Sequence, residues 1–325
     1  MKVCIFGAGA VGGHIATRLI AAKADEISVV ARGAVLEAIR VRGFTLRSGG
    51  QEIAAKPEKA TDDPSTLPPQ DLVVVTLKAH AVSGAAAAIA GLIAPQGSAV
   101  FMLNGVPWWW RHGLPASGAL PLLDPDGALW TQVKPERALG CVVHQPNEVI
   151  APGVIVHTGP NHLIVGEPDG SASPRLEAAI AMFGRGGIEA RLSKDLRRDV
   201  LHKLVLNASA STLCALTRAD QGTVGSDPEL KPLLVRVMHE VVETAAALGW
   251  DLRAQVDIEA LAGIGKRGMR PSMLQDVLKG RPIEVEALLG QIHAFAHEAR
   301  VPVPAMDVIL PLLRGLGSSV RQAKG

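Results

Sequence analysis

Lys2-Val3-Cys4-Ile5-Phe6-Gly7-Ala8-Gly9-Ala10-Val11-Gly12 is the stretch on which the fold turns. Lys2–Phe6 is a short apolar, β-branched run that reads as a buried strand, and Val11–Ala22 reads as a helix. Between them lies a complete G-x-G-x-x-G, and the strand-turn-helix context is what gives that motif meaning. Gly7 allows the tight turn, Gly9 lets the backbone approach a pyrophosphate, and Gly12 permits close helix packing. The helix N-terminus then receives the negative charge. Gly7, Ala8, Gly9, Ala10, Val11 and Gly12 are therefore expected to bind a dinucleotide.

The end of the second strand selects which one. Glu26–Ala31 runs straight into Arg32, with no acid at the tip to hold ribose hydroxyls. A carboxylate would repel a 2′-phosphate, whereas a guanidinium binds it through charge-assisted hydrogen bonds, so NADP(H) is the expected cofactor. Two later strand ends, Asp71–Leu77 and Ser98–Leu103, deliver Lys78 and Asn104-Gly105. Ligands of open parallel sheets sit outside the carboxyl ends of the strands. Lys78 can meet phosphate or ribose there and Asn104 can orient nicotinamide or substrate; equally, each can cap the next helix.

Outward from this core, Ala79–Ile93 is an Ala-rich helix, Pro107–Glu136 an irregular Pro- and Gly-rich connection, and Leu139–Gly166 a β-patterned stretch before a helix over Pro174–Phe183. After Leu192 only helical patterns remain: Asp195–Leu216, Glu229–Leu248, Glu284–Ala299 and Ala305–Leu316. The expected fold is α/β, an N-terminal Rossmann dinucleotide-binding domain over residues 1–193 followed by an all-helical substrate and catalytic domain over 194–325. Its 325 residues suit two domains.

A net charge of +2 speaks against a nucleic-acid partner. The one basic cluster, Arg191, Lys194, Arg197 and Arg198, is interrupted by Asp195 and Asp199 and reads as a solvated helix start. No run reaches the ~18 uninterrupted apolar residues of a membrane span. Cys4, Cys141 and Cys214 are odd in number and lack metal-ligand spacing, which suits a reducing, cytoplasmic setting.

The helix through Val200–Leu216 is apolar except at a few places. Lys203, Asn207 and Ser211 are spaced i, i+4, i+8 along one stripe. Buried polar groups need partners or a ligand, and desolvation among Leu201, Leu204 and Val205 makes an ammonium a readier proton donor. A solvent-facing stripe with Lys203 snorkelling outward is the alternative. Pro271-Ser272-Met273-Leu274-Gln275 has the form of a capping box, Ser272 at the N-cap and Gln275 at N3. Glu284 suits a first-turn acid favoured by the helix dipole. His293 and His297 are i, i+4 with no third ligand evident, so they read as surface histidines and no metal is expected.

With these residues assembled, the chain resembles the ketopantoate reductase (2-dehydropantoate 2-reductase) family along nearly its whole length. The resemblance rests on Gly7–Gly12, Arg32, Leu77-Lys78-Ala79, Asn104-Gly105, His202-Lys203-Leu204-Val205-Leu206-Asn207, Ser272-Met273-Leu274-Gln275-Asp276-Val277, Gly280-Arg281, Glu284 and Val301-Pro302-Val303-Pro304. It implies NADPH-dependent reduction of a small 2-oxo acid, with 2-dehydropantoate going to pantoate, a step of pantothenate biosynthesis. By the same resemblance Lys203 is the proton donor, Asn207 and Ser272 are substrate contacts, and Asn104 touches both cofactor and substrate; Ser211, in line with Lys203 and Asn207, is expected to contact substrate as well. Arg32, Lys78 and Glu284 become cofactor contacts. A homodimer is expected from the apolar C-terminal helices.

Three departures bear on substrate identity. Ser211 stands where the family has a second asparagine and is shorter. Asp220-Gln221-Gly222 puts an acid where Asn is common, which would discourage a nearby substrate carboxylate. Asn104-Gly105-Val106-Pro107-Trp108-Trp109-Trp110 heads an unusually long, Trp-rich connection. Those rings suit a pocket wall for a bulkier hydroxy or oxo substrate, a subunit contact, or local packing under the loop. A non-catalytic NADP(H) sensor is a further alternative, opposed by the polar stripe.

Overall fold

The structure is a computed structural model that describes residues 1–322. The chain divides into two compact units, the first comprising Met1–Asn104 and Trp108–Leu196, the second Gly105–Pro107 and the chain from Arg197 onward.

In the first unit β1 (Lys2–Phe6), α1 (Ala10–Ala22), β2 (Glu26–Val30) and α2 (Gly33–Arg42) open the alternation. A hairpin, β3 (Phe44–Ser48) and β4 (Gln51–Ala55), precedes β5 (Lys59–Thr61) and β6 (Gln70–Val75). The Ala-rich segment is not one helix: α3 (Ala79–Val82) and α4 (Ala86–Leu92) are separated by a 3₁₀ turn at Ser83–Ala85, where Gly84 weakens helical continuity. Then follow β7 (Ile93–Phe101), β8 (Ala138–His144), β9 (Asn147–Ala151), β10 (Val154–His157), β11 (His162–Gly166), α5 (Pro174–Arg185) and β12 (Glu189–Leu192).

The main sheet has the order β12-β11-β8-β7-β6-β1-β2-β5, parallel from β8 to β5, with β11 antiparallel to β8. Read from β5 to β8 this is the 3-2-1-4-5-6 order of dinucleotide-binding sheets, and its reversal point lies between β1 and β6. The strands are continuous apolar runs because both faces of a parallel sheet are covered. Val3, Cys4, Ile5, Val73, Val74 and Val75 are fully buried.

The second sheet, β4-β3-β10-β9, lies against α1. A Cβ on Gly13 would meet Ile155 Cδ1 at 2.6 Å, so the helix touches this sheet through bare backbone. Beside that contact, the buried His14 ring bonds Asn147 Oδ1 through Nδ1 at 2.8 Å, and Arg18 Nε donates to Nε2 at 2.9 Å. Arg18 has only hydrogens to offer, so Nε2 is the acceptor and His14 is the neutral Nδ1–H tautomer. Burial, with help from the charges of His157 and Arg18, pushes its pKa down to about 4.

The unfolded imidazole titrates near 6.5. Between these values the unfolded chain takes up a proton that the folded chain refuses, so stability falls as pH falls and levels off below about 4. The expected loss is about 3 kcal/mol across that window. His14→Gln should flatten the slope of melting temperature against pH from 6.5 to 4, measured by calorimetry against the parent.

Crossing from β7 to parallel β8 needs a covering connection, and residues 102–137 supply it without a regular α-helix. Trp108, Trp109 and Trp110 are 1–2 % exposed and do the covering. Trp108 sits edge-on to Phe101 at 5.2 Å, and Trp109 packs on Gly140, where a Cβ would lie 2.3 Å from its ring. Of the roles open to these rings, local packing is the one realised.

The second unit contains no strand among its described residues. Its first helix runs over Leu196–Thr217 as α6 (Leu196–Leu206), a π turn at Asn207–Ser211, and α7 (Thr212–Thr217). By length and composition it is apolar enough to cross a membrane, but 61 % of its window is buried inside the protein, as in a core helix. Next come α8 (Gln221–Ser226), α9 (Leu230–Ala247), α10 (Ile258–Gly263) and α11 (Ser272–Leu278). A π turn at Glu286–Gly290 leads into α12 (Gln291–Glu298), and α13 (Pro304–Gln322) closes the fold. The buried Glu240 of α9 accepts the Ala305 and Met306 N–H groups at 2.8 Å each, capping α13 with a charge that suits the helix dipole.

The basic cluster departs from a purely solvated reading. Arg197 is buried with its guanidinium 5.9 Å from the Trp250 ring centroid, and Arg198 donates to the Asp251 carbonyl at 2.8 Å. The tripeptide Gly105–Pro107 belongs to this unit. Val106 N–H donates to the Ala287 carbonyl at 2.8 Å, and a Cβ on Gly105 would lie 2.1 Å from that same oxygen, so only glycine permits the approach.

Candidate functional site

The first unit builds a cradle at the sheet's reversal point. Gly7 takes φ +110° and its N–H bonds the Val30 carbonyl at 3.0 Å. Thr76, just past β6, donates its hydroxyl to the Gly7 carbonyl at 2.6 Å and so ties the turn to the neighbouring strand. A Cβ on Gly12 would lie 1.9 Å from Gly7 O and 2.4 Å from Thr76 Oγ1. Gly9, by contrast, has nothing within 4 Å of its would-be Cβ, and it is exposed at the N-cap of α1. That helix has no side-chain cap and no acid in its first turn, leaving its N–H groups and dipole facing the open side of Gly9. Gly7 and Gly12 are held by close packing while Gly9 borders open space, and a cradle of this shape, with unpaired helix amides beside it, has room for a pyrophosphate.

Arg32 occupies the N-cap position of α2 in extended backbone, exposed, and makes no ion pair among the described residues. No carboxylate stands beside it at the end of β2. Strands β6 and β7 end at Val75 and Phe101, earlier than their sequences suggest, although Thr76 N–H still donates to the Phe6 carbonyl at 3.0 Å and Met102 N–H to the Val75 carbonyl at 2.9 Å. Lys78 therefore stands at the N-cap position of α3, and Asn104 in the bend after β7; both are half-buried.

The second unit holds the polar stripe. Lys203 and Asn207 are half-buried and Ser211 is buried, in a helix otherwise lined by Leu201, Leu204, Val205, Ala208 and Leu213. The π turn begins at Asn207, and one extra residue per turn changes the register beyond it. In that register the position in line with Lys203 and Asn207 passes from Ser211 to Thr212. Thr212 Oγ1 is buried with no hydrogen-bond partner among the described residues. Straight α-helical spacing cannot find this residue; a buried hydroxyl pair in an apolar helix was the only sign of it.

Two local expectations are corrected. Ser272 is not an N-cap: Pro271 takes that position, its carbonyl accepting Gln275 N–H at 3.0 Å, with no side-chain cap. The helix starts one residue early, so Gln275 Nε2 turns back to the Arg270 carbonyl at 3.0 Å instead of closing a capping box. Ser272 is left exposed on the first turn. The His293–His297 pair does have a third group nearby, Asp307 from α13. Glu284 is buried at the head of the following helix, where its carbonyl accepts Leu288 N–H at 3.2 Å.

Asp220 caps α8, accepting Thr223 N–H at 2.8 Å and Gly268 N–H at 2.9 Å. Those backbone bonds, Gly268 first, hold its carboxyl below the usual range. The acid that departs from the family pattern is thus engaged in holding α8 against the 266–269 segment.

Comparison with known proteins agrees with this architecture. The family description "Ketopantoate reductase PanE/ApbA" matches residues 3–170, and its "C terminal" counterpart matches 195–317. The chain is 37 % identical over 321 residues to a 2-dehydropantoate 2-reductase of Mesorhizobium japonicum, covering 97 % of this chain and 98 % of the relative. A solved chain from Ralstonia solanacearum MolK2 superposes with TM-score 0.91 at 35 % identity, covering 98 % of each chain. A PanE/ApbA family ketopantoate reductase from Ralstonia eutropha JMP134 gives TM-score 0.83 at 26 % identity, covering 99 % of this chain and all of the other. With both parts matched in order along nearly the whole chain, this chain belongs to the ketopantoate reductase family, NADP-dependent oxidoreductases acting on a CH–OH group.

Proposed function

We propose that this chain uses NADPH to reduce a 2-oxo acid to its 2-hydroxy acid, and that 2-dehydropantoate, giving pantoate, is the substrate. The observation behind the reading is Lys203 with Asn207, two half-buried polar groups on an apolar helix at the start of a π turn. The dinucleotide, when bound, supplies the hydride that reaches the keto carbon. Lys203 gives its proton to the alkoxide that develops on the substrate oxygen, while Asn207, Ser211, Thr212 and Ser272 bind substrate polar groups. Asn104 orients the reacting end, Lys78 and Arg32 hold cofactor phosphate, and Glu284 contacts the cofactor and substrate hydroxyl.

Burial of all three consecutive tryptophans removes the reason to expect a bulkier substrate. The test is NADPH oxidation with a panel of 2-oxo acids. Turnover should be fastest with 2-dehydropantoate; no turnover with any member would overturn the assignment.

Cofactor choice has its own test at Arg32. Removing one charge-assisted contact to the 2′-phosphate is worth about 1.5–3 kcal/mol, or roughly 10- to 100-fold in affinity. Arg32→Ala should therefore raise KM for NADPH by about that factor and leave KM for NADH nearly unchanged. Equal loss with both cofactors would assign Arg32 to structure. We place the enzyme in the cytoplasm, in keeping with its three buried free cysteines, as a homodimer to be checked by sedimentation.

A further inference from the structure

On the outer side of the second unit, two histidines and a carboxylate converge on one point. His293 and His297 lie one turn apart on α12, their ring centroids 4.4 Å apart, and Asp307 comes from the first turn of α13. The two Nε2 atoms are 3.2 Å apart, and each lies within 2.9 Å of the same Asp307 Oδ1. As hydrogen bonds alone this is an awkward set. A single carboxylate oxygen takes both rings, which turns two N–H dipoles of like sign toward each other.

The same three atoms are well placed as lone-pair donors. At the ~2.0–2.1 Å typical of zinc–imidazole bonds, an Nε2 separation of this size subtends roughly 100° at the ion, close to tetrahedral. The Oδ1 contacts correspond to roughly 90°, so the set caps one face of an ion and leaves the others to water. His297 and Asp307 are exposed, which gives an ion an entry path. The donor set also defines the class of ion. Two neutral imidazoles and one carboxylate suit borderline divalent ions such as Zn²⁺, Ni²⁺ or Co²⁺, and lack the oxygen-rich shell that Ca²⁺ or Mg²⁺ requires.

We propose that His293, His297 and Asp307 form a surface binding site for a Zn²⁺-class ion that clamps α12 to α13. None of the three takes part in the dinucleotide cradle or the polar stripe, so the site is a structural or regulatory addition to the reductase.

The test uses the full-length, tag-free protein with Zn²⁺ alone in equilibrium dialysis, and Co²⁺ as a spectroscopic probe. One equivalent of Zn²⁺ should bind, and His297→Ala and Asp307→Ala should each weaken it at least tenfold. Both changes lie on the surface and spare the core. The Co²⁺ form should show d–d bands of a nitrogen and oxygen environment without sulfur charge transfer, which separates this site from the cysteines. Zn²⁺ should raise the melting temperature of the parent and leave that of His297→Ala unmoved. The proposal fails if the parent binds no Zn²⁺, or if parent and both variants bind it equally.

Discussion

Lys203→Ala is expected to lower kcat for 2-oxo acid reduction by about 10²- to 10⁴-fold, the usual contribution of a positioned general acid. The argument is one of charge timing. As hydride arrives at the keto carbon, the carbonyl oxygen gains a full negative charge that water would otherwise have to neutralise. An ammonium held at that oxygen stabilises the transition state more than the ground state, so the loss should fall mainly on kcat. The dissociation constant for NADPH should stay within about twofold of the parent, because Lys203 is not part of the cradle.

Lys203→Arg makes a sharper test. It keeps the charge but offers a proton from a far weaker acid than an ammonium, so it should restore substrate affinity better than rate. A rate for Lys203→Ala within threefold of the parent would sink the proposed role.

The second large effect is expected at Gly12, read against Gly9. A methyl group at Gly12 has no room, with Gly7 O at 1.9 Å and Thr76 Oγ1 at 2.4 Å. Gly12→Ala must push α1 away from the turn and break the Thr76–Gly7 hydrogen bond. Overpacking of this kind costs about 1–3 kcal/mol in stability. It also misdirects the helix amides that would meet a pyrophosphate, and losing one or two such charge-assisted bonds amounts to roughly 100-fold in NADPH affinity. Gly9→Ala meets open space, so it should leave the melting temperature alone while still weakening NADPH by filling the volume the phosphates need. Calorimetric melting with fluorescence titration of NADPH would separate the two. If Gly9→Ala bound NADPH normally, the cradle would not be the dinucleotide site.

Much of this was legible in the chain itself, for identifiable reasons. The glycine motif dictates a local geometry that depends on few neighbours, so Lys2–Ala22 could be read to within a residue. Long helices such as α9 and α5 declare themselves through a sustained apolar stripe. The hairpin of β3 and β4 went unread although Gly49-Gly50 stands between Phe44-Thr45-Leu46 and Ile53, a turn signal flanked by alternation. Its partner β10 lies about a hundred residues away, and no local pattern announces that pairing.

The polar stripe was half legible. Lys203 and Asn207 follow α-helical spacing, but the π turn is an insertion whose register no fixed period contains, so Thr212 was hidden behind Ser211. The tryptophans show the limit of composition, because three large rings in a row read equally as wall, interface or filling until the bare backbone of Gly140 appears beneath one of them.

Residues 105–107 have a bearing on how such chains can be recombined. A chimaera spliced at a single point near residue 196 would pair one parent's helices with the other parent's tripeptide, although the close pass of Gly105 and Val106 along the Ala287 carbonyl joins the two. Shuffling between relatives should succeed when the Gly105–Pro107 codons travel with the C-terminal gene segment. The inheritable block is thus discontinuous, and a breakpoint that looks clean along the gene separates a tripeptide from the helices its backbone is bonded to.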